Sequence, residues 1–172
     1  VSTINEINIA SNLSSARAKV FLESRFYIRD ALSNLFNINP LEIPLTANPG
    51  EAPTLPKGMG YISLSHCKDA CIVCWHKEKI GIDIECSNRN FNYRGLAKKY
   101  LRQKNINDSK LNKYNVLKEW SAIEAAIKWD RGKLSKDIKY WRYGNLEKNI
   151  FHTKKNLKIY LNQFTFLKWI IS

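Results

Sequence analysis

The sequence predicts an α+β fold built as two lobes. Three observations carry that prediction. The periodicities run helix, strands, helices, strands along the chain. The strand patterns are short and alternate between apolar and polar residues. All five prolines fall in one turn-rich arm between the first helix and the first strand. The lobes are expected over residues 1–85 and 86–172, joined near residues 83–92 and packed as one unit. The 172 residues are enough for one sizeable core or two small ones. With 44% apolar residues the chain is globular in composition, and it contains no internal repeat or low-complexity segment.

Each element has a local reason. Residues 14–36 read as a helix, with Val20, Phe21, Ile28, Leu32 and Leu35 as an apolar stripe and Ser14 or Ser15 as its cap. Residues 37–60 form the proline-rich arm. Strands are expected over 61–65, 70–76 and 79–85, the last two as a hairpin turning at Lys77 and Glu78. A looser segment over 86–92 precedes a helix over 93–101. A longer helix, capped by Asp108 or Ser109, runs to about residue 130. From residue 149 onward the pattern alternates again and predicts two or three strands.

The net charge of +13 favours acidic partners such as nucleic acid, an anionic membrane or an acidic protein. A genome rich in Lys, Asn and Ile explains it equally well. Cys71 and Cys74 have the CxxC spacing of a zinc knuckle or redox pair, but no second CxxC follows. On a strand, two residues three apart point to opposite faces, so buried thiols are expected. No stretch reaches the roughly 20 apolar residues of a membrane-spanning helix, and no signal peptide is visible. Cytoplasm is the expected compartment.

Two segments carry chemistry. In Ile80-Gly81-Ile82-Asp83-Ile84-Glu85 the isoleucines alternate with the other residues, so Asp83 and Glu85 point the same way from a strand. In the helix that follows, Trp120, Glu124 and Lys128 are spaced by four and share a face. Three carboxylates and a cation on two rigid elements suit a hard divalent cation and a phosphate. Three unrelated surface acids, with Lys128 in a helical ion pair, are the ordinary alternative. Ser63-Leu64-Ser65-His66 closes a strand, where His66 can meet a phosphate or be structural. Arg17, Lys19, Arg25 and Arg29 lie on the first helix as phosphate ligands or as a solvated basic face. Tyr140-Trp141-Arg142-Tyr143 can stack on bases, although a core or hinge cluster is the expected role. A nucleic-acid-binding module would have no need of Asp83, Glu85 and Glu124 together.

Taken together, these segments resemble the Sfp-type 4'-phosphopantetheinyl transferases. The strand through Asp83 and Glu85 is similar to that family's G-x-D-x-E motif. The helix from Trp120 to Lys128 is similar to its W-x-x-K-E-x-x-x-K motif, and Ser63 to His66 to its S-x-S-H. The arm around Gly50 to Gly58 resembles the proline-rich segment of the siderophore-synthase branch, whose first helix also carries spaced basic residues. The similarity covers about residues 17–133, with the motifs in the family's order. It implies two similar α/β lobes forming a pseudo-dimer, hence a monomer.

The resemblance also implies transfer of the phosphopantetheine arm from coenzyme A to a serine of an acidic acyl or peptidyl carrier protein. The second product is 3',5'-ADP. It implies Mg²⁺ or Mn²⁺ held by Asp83, Glu85, Glu124 and the pyrophosphate. Glu124, or water on the metal, takes the serine proton, while His66, Arg17, Arg25, Arg29 and Lys128 bind coenzyme A phosphates. Neither nucleic acid nor membrane is an expected partner. Two positions depart from the family. Ile123 replaces the lysine before the glutamate, and Lys118 cannot replace it by helical phase; Glu51 replaces the lysine of the commoner G-K-P turn. Ile123 motivates the alternative of a non-catalytic relative that binds coenzyme A or a carrier protein.

Overall fold

The computed structural model describes residues 1–101, 111–144 and 149–172, and it is an α+β fold. The chain divides into two compact units. The first comprises residues 1–64 and 73–80, the second residues 65–72 and 81–172. The sequence expectation drew one line after Glu85. The strand containing Glu85 instead belongs to the second unit, because its hydrogen-bond partner lies at the end of the chain.

The first unit opens with a helix that the periodicity did not signal, α1 (Ile4–Ser11). Its start is fixed by a capping box: the Thr3 hydroxyl accepts from the Glu6 N–H, and Glu6 accepts from the Thr3 N–H. Helix α2 (Ser15–Phe36) follows and ends at Asn37 in the left-handed conformation. Its buried face is narrower and more polar than the stripe predicts. Phe21, Ile28 and Leu32 are buried, Val20 and Leu35 are exposed, and Arg25 and Arg29 lie on the inward side. Ile28 and Leu32 pack with Ile43 and Ile62, and with Phe36, Val73 and Trp75 around them. The proline-rich arm contains a short 3-10 turn (Pro40–Glu42) and is pinned by paired backbone bonds between Thr46 and Thr54.

The buried arginines explain how that arm is held. The Arg29 Nε and Nη2 groups meet the Glu6 carboxylate at 3.1 Å, and Nη1 donates to the carbonyls of Pro40 and Ile43. One guanidinium thus ties α1, α2 and the arm together. Arg25 donates to the Ala47 carbonyl at 2.7 Å and lies over the Phe21 ring. A solvated basic face is therefore not what Arg25 and Arg29 form; Arg17 alone of the three is exposed. Burial by itself would raise the Glu6 carboxyl, but the Arg29 and Thr3 contacts outweigh it and hold it below its ordinary value.

Strands β1 (Tyr61–Cys67) and β2 (Ala70–His76) pair with each other, turning at Lys68 and Asp69. The expected hairpin at Lys77 and Glu78 does not form. Strand β3 (Ile84–Cys86) pairs antiparallel with β8 (Trp169–Ile171), which pairs in turn with β7 (Phe164–Phe166). Buried apolar partners outweigh the short-range turn: Ile84 lies opposite Ile171, and Glu85 opposite Ile170. Reciprocal backbone bonds between Asp83 and Ser172 extend the ladder by one residue.

The rest of the second unit is built on one long helix. Helix α3 (Tyr93–Leu96) runs on into a widened π turn (Ala97–Leu101). Helix α4 (Lys113–Trp129) is capped by the Asn112 side chain; the expected caps, Asp108 and Ser109, lie outside the described residues. After the short helix α5 (Leu134–Asp137) come β4 (Trp141–Gly144), β5 (Asn149–His152) and β6 (Leu157–Tyr160) as an antiparallel sheet in that order. Ile123 and Ile127 of α4 join Trp141, Ile150 and Leu161 in the core. Trp141 is thus a core residue, as expected for the cluster around it. All four cysteines are thiols rather than disulfides, but Cys71, near the turn end of β2, is exposed and Cys74 half-buried where buried thiols were expected.

The Glu6–Arg29 pair yields a prediction. Removing one partner of a buried ion pair leaves an uncompensated charge and costs about 3–5 kcal/mol. Arg29→Ala should lower the urea midpoint accordingly at neutral pH. Because the folded-state pKa of Glu6 is depressed, the stabilisation is present above the unfolded value and lost as pH falls through the folded one. The difference between parent and variant should therefore shrink below about pH 4.

Candidate metal centre

The site is assembled by a close approach between the lead into β3 and the last turns of α4. Gly81 lies against the backbone there. A Cβ on Gly81 would stand 2.8 Å from the Trp129 Cα and overlap the Ala125 carbonyl oxygen and the Trp129 amide. Glycine is required by that contact, not by its backbone angles. The approach sets Asp83 and Glu85 beside the face of α4 that carries Trp120, Glu124 and Lys128.

Asp83 is 3% exposed and sits at the centre of a polar triangle. Its Oδ1 accepts from the Ser65 hydroxyl at 2.8 Å and from Lys128 Nζ at 2.7 Å. The Ser65 oxygen also accepts from Lys128 Nζ at 2.9 Å and from the Ile84 N–H at 3.2 Å. Ser65 thus makes one donated and two accepted bonds, the full capacity of a hydroxyl. The other Asp83 oxygen, Oδ2, is buried and has no hydrogen-bond partner among the described residues. An unsatisfied buried carboxylate oxygen is costly and calls for an explanation.

Glu85 is buried and ion-paired with Arg89 at 2.8 Å. Arg89 in turn lies 4.6 Å from the centre of the Phe91 ring. Burial raises the Glu85 carboxyl to about 7; Arg89 opposes the shift, and the Asp83 charge adds to it. Glu124 is half-buried. Burial pushes it up to about 7 as well, with Asp83 and Glu85 raising it further and Lys128 opposing. Burial and the Asp83 charge thus raise both Glu85 and Glu124 in one desolvated site, a pattern typical of functional sites.

These carboxylates match a hard divalent cation in donor chemistry: oxygen ligands, excess negative charge and one orphaned lone-pair oxygen. They do not converge on a common point as they stand. Among the described residues, no three His, Cys, Asp or Glu side chains form a group that could hold a metal. Lys128 offsets the Asp83 charge instead, so ion binding requires the Glu85 and Glu124 side chains to turn toward Asp83.

The structure thus gathers Asp83, Glu85, Glu124 and Lys128 from the sequence-predicted set. His66 is exposed on β1 and, next to Ser65 in a strand, points to the opposite face. Arg17 is exposed on α2, while Arg25 and Arg29 hold contacts within the first unit. Ile123 is 1% exposed in the core behind the site. A lysine there would be buried among apolar side chains, so an apolar residue is what the packing requires. Sequence reasoning missed two residues. Ser65 was visible only as part of the S-x-S-H pattern, with no role. Arg89 lies four residues after Glu85, but no regular element there signalled the pairing.

No protein-family model matches the chain, and no curated protein matches it.

Two outcomes follow from this geometry. Gly81→Ala should destabilise the protein by about 2 kcal/mol or more, as backbone overpacking does, seen as a lower urea midpoint. The carboxylates supply the second. Between about pH 4.5 and 7 the folded state holds protons on Glu85 and Glu124 that the unfolded state has released, so stability in EDTA falls as pH rises. Glu124→Gln removes part of that loss. The variant should be more stable than the parent near pH 8 and equal to it near pH 4.5, measured by urea unfolding.

Proposed function

We propose that this chain is a divalent-metal-dependent transferase of the 4'-phosphopantetheinyl type. It moves the phosphopantetheine arm of coenzyme A to a serine of an apo acyl or peptidyl carrier protein. The observation that supports this reading best is the desolvated trio Asp83, Glu85 and Glu124, set on β3 and α4 beside Lys128. The finer architecture, two similar lobes as a pseudo-dimer acting as a monomer, belongs to the same proposal.

In this reading Asp83, Glu85 and Glu124 would hold Mg²⁺ or Mn²⁺, and the buried, unsatisfied Oδ2 of Asp83 is the observation that fits an ion there. When bound, the ion supplies charge neutralisation for the pyrophosphate of coenzyme A. The chain's own residues do the rest. Lys128 and Ser65 fix the Asp83 carboxylate through Oδ1. Arg89 orients Glu85. Glu124 would take the serine proton in this reading; burial holds its carboxyl up to about 7 before any ion binds. The serine oxygen forms a bond to the attacked phosphorus while the bond to the 3',5'-ADP oxygen breaks, and the serine proton passes to Glu124.

His66 and Arg17 are exposed, and their phosphate-binding role rests on the family resemblance alone. Arg25 and Arg29 are given no ligand role, since their guanidinium groups are committed to protein carbonyls and Glu6. The core position of Ile123 accounts for that departure from the family pattern without loss of the carboxylates. The net charge of +13 would draw an acidic carrier protein to the site.

The test is intact-mass analysis of an apo carrier protein after incubation with coenzyme A, Mg²⁺ and this protein. A phosphopantetheine mass gain that EDTA blocks is expected. Glu124→Gln should slow the gain by at least about a hundredfold, the usual worth of a general base, and Asp83→Ala should abolish it, both with circular dichroism unchanged. Full activity in either variant, or no gain with acyl and peptidyl carriers alike, overturns the reading.

A further inference from the structure

The basic residues are not spread evenly. Residues 128–158 hold ten Lys and Arg against three Asp and Glu, which is more than half of the net charge in under a fifth of the chain. Composition alone would scatter the lysines. This segment contains β4, β5 and β6, and their register shows where part of the charge goes.

Residues directly opposite in an antiparallel sheet share a face. Trp141 pairs with His152, and Ile150 with Ile159, so these side chains lie on the face that joins the core. The alternate residues form the other face. Arg142 is opposite Phe151, and Phe151 is opposite Lys158, giving a row of cation, aromatic and cation across all three strands. Two residues further along β6 on the same face is Tyr160, 93% exposed; Phe151 is 41% exposed. Diagonal neighbours on a sheet lie roughly 7–8 Å apart, so the two rings are side by side without covering each other.

The same face is flanked by a second basic feature. The Arg142 guanidinium donates to the backbone carbonyls of Lys139 and Trp141, which brings the Lys139 backbone beside the start of β4. The ammonium groups of Lys139 and Lys154 lie 5.0 and 4.4 Å from the centre of the Tyr140 ring. Tyr140 also stacks beside buried His152. Its hydroxyl is acidified, chiefly through the hydrogen bond with Lys154 and then that with Lys139. Two ammonium groups on one ring repel each other unless an anion joins them. Tyr140, covered by His152 and the lysines, is not open to a stacking base, whereas Phe151 and Tyr160 are.

We propose that the outer face of the β4–β5–β6 sheet binds single-stranded nucleic acid, with bases stacked on Phe151 and Tyr160 and backbone phosphates held by Lys158, Lys139 and Lys154. Open aromatic rings interleaved with cations on a sheet are the arrangement that serves single strands. An acidic protein would meet the cations but has no need of two separate exposed rings at this spacing. The inference does not rest on the transferase reading, since none of these residues belongs to the carboxylate cluster.

The test is fluorescence anisotropy with labelled twelve-nucleotide oligo-U and oligo-dT, a duplex of the same length, and poly-glutamate as competitor. Both single strands should bind more tightly than the duplex at 50 mM salt and weaken steeply by 200 mM; comparison of oligo-U with oligo-dT tells which strand is the better ligand. Tyr160→Ala, at a position too exposed to affect folding, and Phe151→Leu should each weaken single-strand binding at least about fivefold with the salt slope unchanged. Lys158→Gln should lower the slope by about one. No single-strand binding at 50 mM salt overturns the proposal. So does binding unaffected by Tyr160→Ala and Phe151→Leu, or competition by poly-glutamate as effective as by unlabelled oligo-U, since either shows a surface that reads charge alone.

Discussion

The candidate site depends on one backbone contact, the approach of Gly81 to the last turns of α4. Nothing with a side chain fits between that residue and the Ala125 carbonyl and Trp129 amide. Where the chain touches the helix so closely, the next residues must run alongside it. Asp83 is then forced into reach of Lys128, and Glu85 into the electrostatic field of Glu124. The glycine and the helix are thus two halves of one geometric requirement, which is why a strand with alternating acids and a helix with Glu124 and Lys128 belong together.

A second constraint follows from burial. Acids this desolvated cannot all be charged without support, and the structure supplies it unevenly. Asp83 Oδ1 has Ser65 and Lys128, and Glu85 has Arg89, while Glu124 makes no ion pair among the described residues and has only the opposing charges of Lys128 and Arg89. Environment therefore separates chemically similar carboxyls into different roles. Asp83 is the fixed anchor, while burial brings both Glu85 and Glu124 to about 7. The same site offers an unfilled oxygen on Asp83, so the protein forgoes some stability to keep a polar atom available.

Much of this was legible locally. The helical phase of Trp120, Glu124 and Lys128 follows from spacing alone and holds, whereas the strand expected over 79–85 forms only at Ile84–Cys86, with Asp83 joining its ladder by backbone bonds to Ser172. The α+β class followed from the order of periodicities. What failed to show was whatever depends on distant partners. Ser65 meets Asp83 across eighteen residues and Lys128 across sixty-three. β3 pairs with β8 near the far end of the sequence, so the local turn at Lys77 and Glu78 misled. Arg25 and Arg29 looked like a surface charge pair because spacing cannot tell a basic face from arginines buried against carbonyls. Helix α1 had a readable capping box, but its exposed Ile4 and Ile7 break the apolar periodicity that would have marked it. Glu51, in the proline-rich arm, has a side-chain bond with Asn48 and no contact that explains its place in the pattern.

The central claim is that the strand and helix carboxylates form a divalent-cation site. Titration of Mn²⁺ into the protein, read by the electron paramagnetic resonance signal of the free ion, tests it most directly. The account predicts a single site that Mg²⁺ competes for and that is lost or strongly weakened in Glu124→Gln and Asp83→Asn. Free-ion signal undiminished by the parent protein, or binding that survives both substitutions unchanged, would contradict it.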